Sequence, residues 1–331
     1  MPIQGKKFLI AGGASLIGSH LTASLLQAGA KEIVLFDNFS LGSPAITRSL
    51  GRSPAVRVVK GDVLKLNQLI DAMQDVDGVF HLAAYLTLPL AQSPAVGAEV
   101  NVMGVVNVLE ASRLLGGKKV VLAASIAVYG TNVHGTVDES TPLGSEGVSP
   151  AFGAYAAAKL MGEHLGRLYS QKYGVDFCSV RFSTVYGENQ HSRGVNALYI
   201  LEAMQRVKAG QPPQIRDSGA EGHDYIHASD AAQGMLLAMD KGRTERSYNI
   251  ATGSSTSVKQ VVDLVLKEFG SGLAPEYVRD TRDARSTAHH DLRISNARAQ
   301  DELGWSPRVS LADGIGRLRR WMEAQPAATS E

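Results

Sequence analysis

The chain has 331 residues, 44% of them hydrophobic, enough to bury one large core or one core with a smaller lobe. Its 33 Lys and Arg balance 32 Asp and Glu, so a net charge of +1 exerts no long-range pull on nucleic acid or anionic lipid, and any bound anion must be caught locally. The single cysteine, Cys178, excludes an internal disulfide, and the apolar run after Lys6-Lys7 is too short for a signal-peptide core or a membrane span; the expectation is a soluble, cytoplasmic protein.

Along the chain, the short apolar runs "KFLIAG", "EIVLFD", "VRVVKGD", "GVFHLAA", "KKVVLAAS" and "VDFCSVRF" alternate with helical patterns. The helical patterns cover Leu16 to Ala28, Lys65 to Met73, Ala95 to Leu115 and Ala154 to Tyr173. Such alternation predicts an α/β fold with a doubly wound parallel sheet over residues 1–182. After Phe182 the rhythm weakens. Helices near Val195 to Ala209, Asp230 to Asp240, Val258 to Phe269 and Ala312 to Glu323, set among loops rich in Gly, Pro and charge, predict a smaller mixed α/β lobe over 183–331 that binds substrate, some of whose segments can return to the first domain.

Directly after the first run, Gly12, Ser15 and Gly18 stand at G-x-x-G-x-x-G spacing, and a helix follows. A strand feeding such a turn aims unpaired helix N–H groups and a positive dipole end at whatever lies above the sheet edge, which suits a pyrophosphate. Gly12 permits the tight turn and Gly18 the close packing of helix on strand, while Ser15 narrows the approach to the phosphates. The next strand ends in Asp37, 19 residues after Gly18, the offset at which a carboxylate accepts from the adenosine ribose. A carboxylate there repels a 2′-phosphate, and no Arg or Lys follows until Arg48, so NAD is expected rather than NADP. Asp62 in "VVKGDV" reads either as an acceptor for the adenine amino group or as the cap of a helix starting near Leu64. "HLAA" ends the fourth strand with small residues that let backbone pass close to a ribose, and His81 itself reads as a satisfied core histidine.

The chemistry is most visible in "AYAAAKL". Tyr155 and Lys159 are four apart in a helical run, so both side chains reach one small volume. A neighbouring ammonium is expected to stabilise the phenolate and draw the tyrosine pKa down, giving a general acid/base. Lysine also suits the cofactor ribose. Ser125, at a strand end one helix earlier, either supplies a third hydroxyl that orients a substrate alcohol or merely caps a turn.

With "GGASLIGSH", "FDNFSLG", "KGDV", "HLAA", "NVMGVVNVLEA", "SIAVYG", "YAAAK", "RFSTVYG", "DYIHASDAA", "YNIATG" and "ELGWSP" in order, the chain resembles the extended short-chain dehydrogenase/reductase family, specifically the nucleotide-sugar epimerase and dehydratase branch typified by UDP-glucose 4-epimerase. The resemblance implies a Rossmann-type NAD domain and a catalytic triad of Ser125, Tyr155 and Lys159. It places the cofactor against Gly12, Ser15, Leu16, Ile17 and Gly18, against Asp37, Asn38, Asp62 and Val63, and against Leu82, Ala83, Ala84, Asn101, Tyr155, Lys159 and Tyr186. Candidate substrate contacts are Thr87, Ser125, Tyr155, Thr184, Arg193, His223 and Arg282, and no metal is expected. It also implies a homodimer through the helices Ala95 to Leu115 and Ala154 to Tyr173.

The departures narrow the chemistry. Dehydratases of the branch carry an Asp-Glu pair just after the serine or threonine, where this chain has Ile126 and Ala127, and decarboxylases use a Glu at the place of Ala127. Without a carboxylate beside the substrate carbon, a second deprotonation lacks a base, leaving oxidation at one carbinol carbon followed by return of the hydride to the opposite face or release of the ketone; the resemblance implies the first, NAD-dependent 4-epimerisation of a UDP-hexose or UDP-N-acetylhexosamine. Thr184 stands where the family has an asparagine on the diphosphate, and His223 where it has a phosphate-binding arginine. These keep open a dehydrogenase of a small polyol, sugar acid or amino alcohol. A cofactor sensor without chemistry is disfavoured by the intact triad. Arg193, Arg216, Arg279, Arg282 and Arg285 are candidate compensating cations.

Overall fold

A computed structural model describes residues 1–131, 133–144, 148–190, 198–279 and 292–325. Its main strands are β1 (Lys7–Ala11), β2 (Glu32–Asp37), β3 (Val56–Lys60), β4 (Gly78–His81), β5 (Lys119–Ser125), β6 (Phe177–Phe182), β7 (Thr184–Tyr186), β8 (Tyr225–His227) and β9 (Ser247–Ile250). Seven of them form one parallel sheet in the order β9-β6-β5-β4-β1-β2-β3. The inner strands are buried on both faces, which is why they read as unbroken apolar runs rather than alternating ones. β3 is the edge and exposes Arg57 and Val58. Because the strand order reverses between β1 and β4, a crevice opens at their carboxyl ends, beside Ala11, Phe36 and His81.

Helices cover both faces. On one, α1 (Leu16–Gln27) lies with the later helix Ala228–Lys241, and Leu21, Leu25, Met235 and Met239 share a core with Phe8, Ile10, Phe80 and Val180. On the other, α2 (Leu66–Met73), α3 (Gly104–Leu114) and α4 (Pro150–Tyr173) cover Leu9, Val79, Val120, Leu122 and Phe177. α4 starts at a Ser149 cap with Pro150 in its first turn and ends at left-handed Gly174. Gly166 lets this helix lie directly on β6, since a Cβ there would stand 2.2 Å from the Phe177 ring.

The expected helix over Ala95 to Leu115 is interrupted: residues Glu99–Met103 form a π-type turn between Pro94–Ala98 and α3. Such turns occur often at functional sites. β9 was not among the expected strands. Its "SYNI" is short and half polar, yet fully buried, because its polar groups are paired: Ser247 Oγ accepts from Ser179 and Arg167, and Asn249 Oδ1 accepts from Tyr129.

Most of the remaining elements build the lobe: β7 pairs in parallel with β8, and α5 (Leu198–Lys208), α7 (Val258–Phe269) and α8 (Leu311–Ala324) belong to it, while α6 (the helix Ala228–Lys241) packs on the sheet beside α1. α5, α7 and α8 enclose Tyr186, Ile200, Met204, Val261, Val265 and Leu318. Among the described residues, no helix is long and apolar enough to cross a membrane.

A buried polar knot holds α4 to the sheet. Arg181 of β6 donates from Nε and Nη2 to the two oxygens of Glu163 at 2.8 and 2.7 Å, and from Nη1 to the Tyr129 hydroxyl at 2.8 Å. Tyr129 in turn donates to Asn249 at 2.8 Å. Burial pushes the Glu163 carboxyl up, but the guanidinium more than reverses this and holds it below its ordinary value. Glu163→Ala leaves the guanidinium buried without its partner and should cost about 3–5 kcal/mol, read as a lowered urea midpoint.

Candidate active site

A cavity of about 380 Å³ occupies the crevice, walled by the turn after β1, the ends of β2, β4 and β5, the start of α4, and β7 of the lobe. Ser15 caps α1: its hydroxyl accepts from Gly18 N at 3.2 Å and donates to Gly12 O at 2.7 Å, which closes the turn and leaves the first-turn N–H groups of Leu16 and Ile17 without intrahelical acceptors. Gly12 has φ +83°, and a Cβ there would lie 2.6 Å from Ala83 N. Only glycine fits. Gly18 stands behind the turn, where a Cβ would meet Gly13 O at 2.6 Å, so it packs helix against strand and does not line the cavity.

Asp37 ends β2 at the cavity wall. Its oxygens accept from Ala14 N at 2.9 Å and Phe39 N at 2.8 Å, and burial nevertheless raises its pKa. Asn38 donates to Asp62 at 3.3 Å, while the other Asp62 oxygen accepts from Leu64 N; α2 begins later, after Lys65, so Asp62 shapes the turn and is not the helix cap. Gly61 and Val63, on either side of it, line the cavity. The glycine cradle under a helix N-terminus, with a carboxylate at the next strand end, fits a dinucleotide pyrophosphate and ribose.

The predicted triad is brought together. Tyr155 and Lys159 project from adjacent turns of α4 toward Ser125 at the end of β5, and the Ser125 and Tyr155 hydroxyls share a hydrogen bond. Lys159 Nζ donates to Ala123 O at 2.8 Å and lies 5.7 Å from the Tyr155 ring centre. The electrostatics run against the expectation from sequence. Burial pushes the Tyr155 phenol up to about 12, outweighing the Ser125 bond, and pulls the Lys159 ammonium down to about 8. Lys159 sits at the face of the ring rather than at its hydroxyl.

Two further cofactor candidates, like Gly18 and Asp62, do not line the cavity. Asn101, in the π-type turn, accepts from Tyr85 N at 2.7 Å and donates to Tyr85 O at 2.8 Å; it clamps the backbone of a cavity-lining residue and does not itself line the cavity. Tyr186 is buried in the lobe core, its hydroxyl 3.4 Å from Leu311 O. His81 is a core histidine but not a satisfied one: neither ring nitrogen has a protein partner, and burial, helped by Lys159, pushes it to about 3.

Thr87, Thr184 and His223 line the cavity, whereas Arg193, Arg282 and Arg285 lie outside the described residues. His223 Nε2 is 2.8 Å from Glu221 Oε1, and Arg216 is bound to Glu202 at 2.9 Å away from the cavity. Arg279 is exposed and does not line it. Sequence reasoning missed Gln190, Phe152 and Leu292 on the walls, because no spacing or residue type singles them out. Among the described residues, no cluster of His, Cys, Asp and Glu could hold a metal.

Lys159 gives a stability test. Its unfolded value is near 10.5 and its folded value about 8, so between these pH values the unfolded chain holds the proton that the folded one has released, and stability rises with pH across that window. At pH 7 the buried ammonium bears its full cost. Lys159→Met should therefore raise stability at pH 7 by about 1–3 kcal/mol, a gain that fades by pH 10 in urea-unfolding series.

The sequence profile of the NAD dependent epimerase/dehydratase family matches residues 8–251. A putative UDP-glucose 4-epimerase of Methanocaldococcus jannaschii is 30% identical over 95% of this chain and 98% of its own. The structure of UDP-glucose 4-epimerase from Thermotoga maritima with UDP-glucose superimposes with a TM-score of 0.84 at 26% identity, covering 96% and 98% of the two chains. A dTDP-glucose 4,6-dehydratase from Streptomyces venezuelae, solved with NAD, also gives 0.84, at 27% identity over 96% and 97%. The chain is therefore a member of the NAD-dependent epimerase/dehydratase family, within the extended short-chain dehydrogenases/reductases, and its cofactor is NAD.

Proposed function

We propose that this chain is a nucleotide-sugar 4-epimerase acting on a UDP-hexose or UDP-N-acetylhexosamine. The observation that carries this reading is the inventory of the cavity wall. Among its described residues the only carboxylate is Asp37, at the ribose end, while Ile126 and Ala127 follow Ser125 at the reacting end. Eliminating water from a sugar needs a base at a second carbon and an acid at the leaving hydroxyl. Among the described residues the wall offers no carboxylate at the reacting end for either role, so reversible oxidation at one carbinol is the chemistry that fits best.

Bound NAD supplies the hydride acceptor and, on return, the donor. The chain does the rest. Ser125 and Tyr155 hold the sugar hydroxyl between them, and Tyr155, as phenolate, takes its proton while the carbinol hydride departs. A charged Lys159 would favour that phenolate, against the burial that holds the free phenol at about 12. The keto-sugar would turn in the cavity, the hydride would be added to the other face of its carbonyl carbon, and Tyr155 would return the proton to its oxygen. Epimerisation thus produces no lasting NADH.

His223 favours a second reading. A histidine tied to Glu221 is a weaker anion clamp than an arginine, and no arginine is among the described wall residues. A net dehydrogenase of a small polyol, sugar acid or amino alcohol would suit such a wall. Incubation with UDP-glucose and UDP-N-acetylglucosamine separates the two: interconversion with their galacto counterparts and no lasting 340 nm signal supports the epimerase, while accumulating NADH with a small alcohol supports the dehydrogenase. Tyr155→Phe should lower turnover at least a thousandfold and leave NAD bound; undiminished turnover would overturn the assigned mechanism.

A second copy of the chain is the proposed partner. Exposed Met103, Leu114, Met161, Leu168 and Tyr173 lie on the π-type turn, α3 and α4, an apolar stripe that a like pair of helices would cover. Met161→Glu combined with Leu168→Glu should convert a dimer to monomer in light scattering.

A further inference from the structure

Glu188, just after β7, lies between two imidazoles. Its Oε2 is 3.0 Å from His227 Nε2 and 3.7 Å from His20 Nε2, and its carbonyl oxygen is 3.1 Å from the same His20 nitrogen. His20 belongs to the early turns of α1, the helix that starts at the glycine cradle. The neighbouring Asn189 donates to Ser19 Oγ at 3.2 Å, and Ser19 donates to Leu16 O at 2.7 Å. Residues 188 and 189 therefore grip the start of α1 at two adjacent positions.

The other end of this contact is anchored in the lobe. His227 is 1% exposed, and its Nδ1 pairs with Ser229 Oγ at 2.8 Å where α6 begins. Nearly perpendicular rings run from the lobe core to α1: Tyr225 to Tyr186 at 6.5 Å, Tyr186 to His227 at 5.5 Å, and His227 to His20 at 5.7 Å. Arg317 of α8 also acts on His20, and Asp230 and Asp313 on Tyr186. Burial pushes the Glu188 carboxyl up, but the His227 contact and the Glu188 backbone outweigh it and hold the group at about 2, so it is a carboxylate at any working pH. Two residues further on, Gln190 lines the cavity and its Oε1 accepts from Gly187 N at 3.4 Å.

We infer that Glu188 is a positioning residue for the cofactor: it latches the segment 187–190, and with it the lobe, onto α1, and so fixes the helix start that faces the NAD pyrophosphate. It does not line the cavity and acts through His20, Asn189 and Ser19. The inference depends on NAD binding and is independent of which sugar reaction follows.

The test is the apparent affinity of the full-length protein for NAD, by calorimetric titration, beside its thermal midpoint. Glu188→Ala should weaken NAD five- to tenfold, and Glu188→Gln, which keeps shape and hydrogen-bonding capacity, should stay within threefold of the parent. Asn189→Ala added to Glu188→Ala should weaken it no further, because both act through one docked segment. If Glu188→Ala lowers the thermal midpoint but leaves NAD affinity within twofold, the residue is only structural and the inference fails. Should that variant not fold, Asn189→Ala carries the test: a two- to fourfold loss is expected, and unchanged affinity overturns the inference.

Discussion

The geometry of the site depends on the buried pair of Glu163 and Arg181. Glu163 is four residues beyond Lys159 on α4, and Arg181 stands on β6, next to β5 and its terminal Ser125. Arg181 also holds Tyr129, four residues after Ser125, which in turn holds Asn249 of β9. One guanidinium thus fixes the helix bearing Tyr155 and Lys159 against the strand end bearing Ser125. Buried ion pairs add little net stability compared with apolar packing of the same volume, but they tolerate few alternative arrangements. That rigidity is what a three-residue proton site needs.

The proposed reacting groups on α4 are held at a cost. Lys159 is buried with one carbonyl partner, and Tyr155 is buried with one hydroxyl partner, so both are pushed toward their neutral forms. The same burial that opposes the phenolate excludes water, and in a dry site each added positive charge acts more strongly on it. In the proposed reaction, proton removal by Tyr155 would therefore depend on a filled cavity. His81, buried with both nitrogens unpartnered beneath this region, adds a neutral imidazole rather than a second acid.

The proposed substrate contacts lie at the seam between sheet and lobe. Thr184 and His223 come from the lobe, Asp37 and Ser15 from the sheet, and Glu188 ties the two by contacts to His20 and His227. The end proposed for the cofactor combines glycines and a helix start with the side chains of Ser15 and Asp37. The other end is built from side chains on short strands and loops, which change without disturbing the sheet.

Much of this was legible in the sequence. The alternation of apolar runs with helical patterns set the six strands and the helices on them, because two-sided burial and a 3.6-residue period each leave a local trace. The spacing of Gly12, Ser15 and Gly18, the offset to Asp37, and the four-residue step from Tyr155 to Lys159 are likewise local. Only the tertiary structure decided the rest. β9 joined the sheet because distant partners paired its polar groups; Asn101 turned to the Tyr85 backbone and Tyr186 into the lobe core; burial reversed the expected direction of the Tyr155 pKa. Each depends on groups far apart in the chain, or on the volume of water excluded, and neither leaves a mark on the residues nearby.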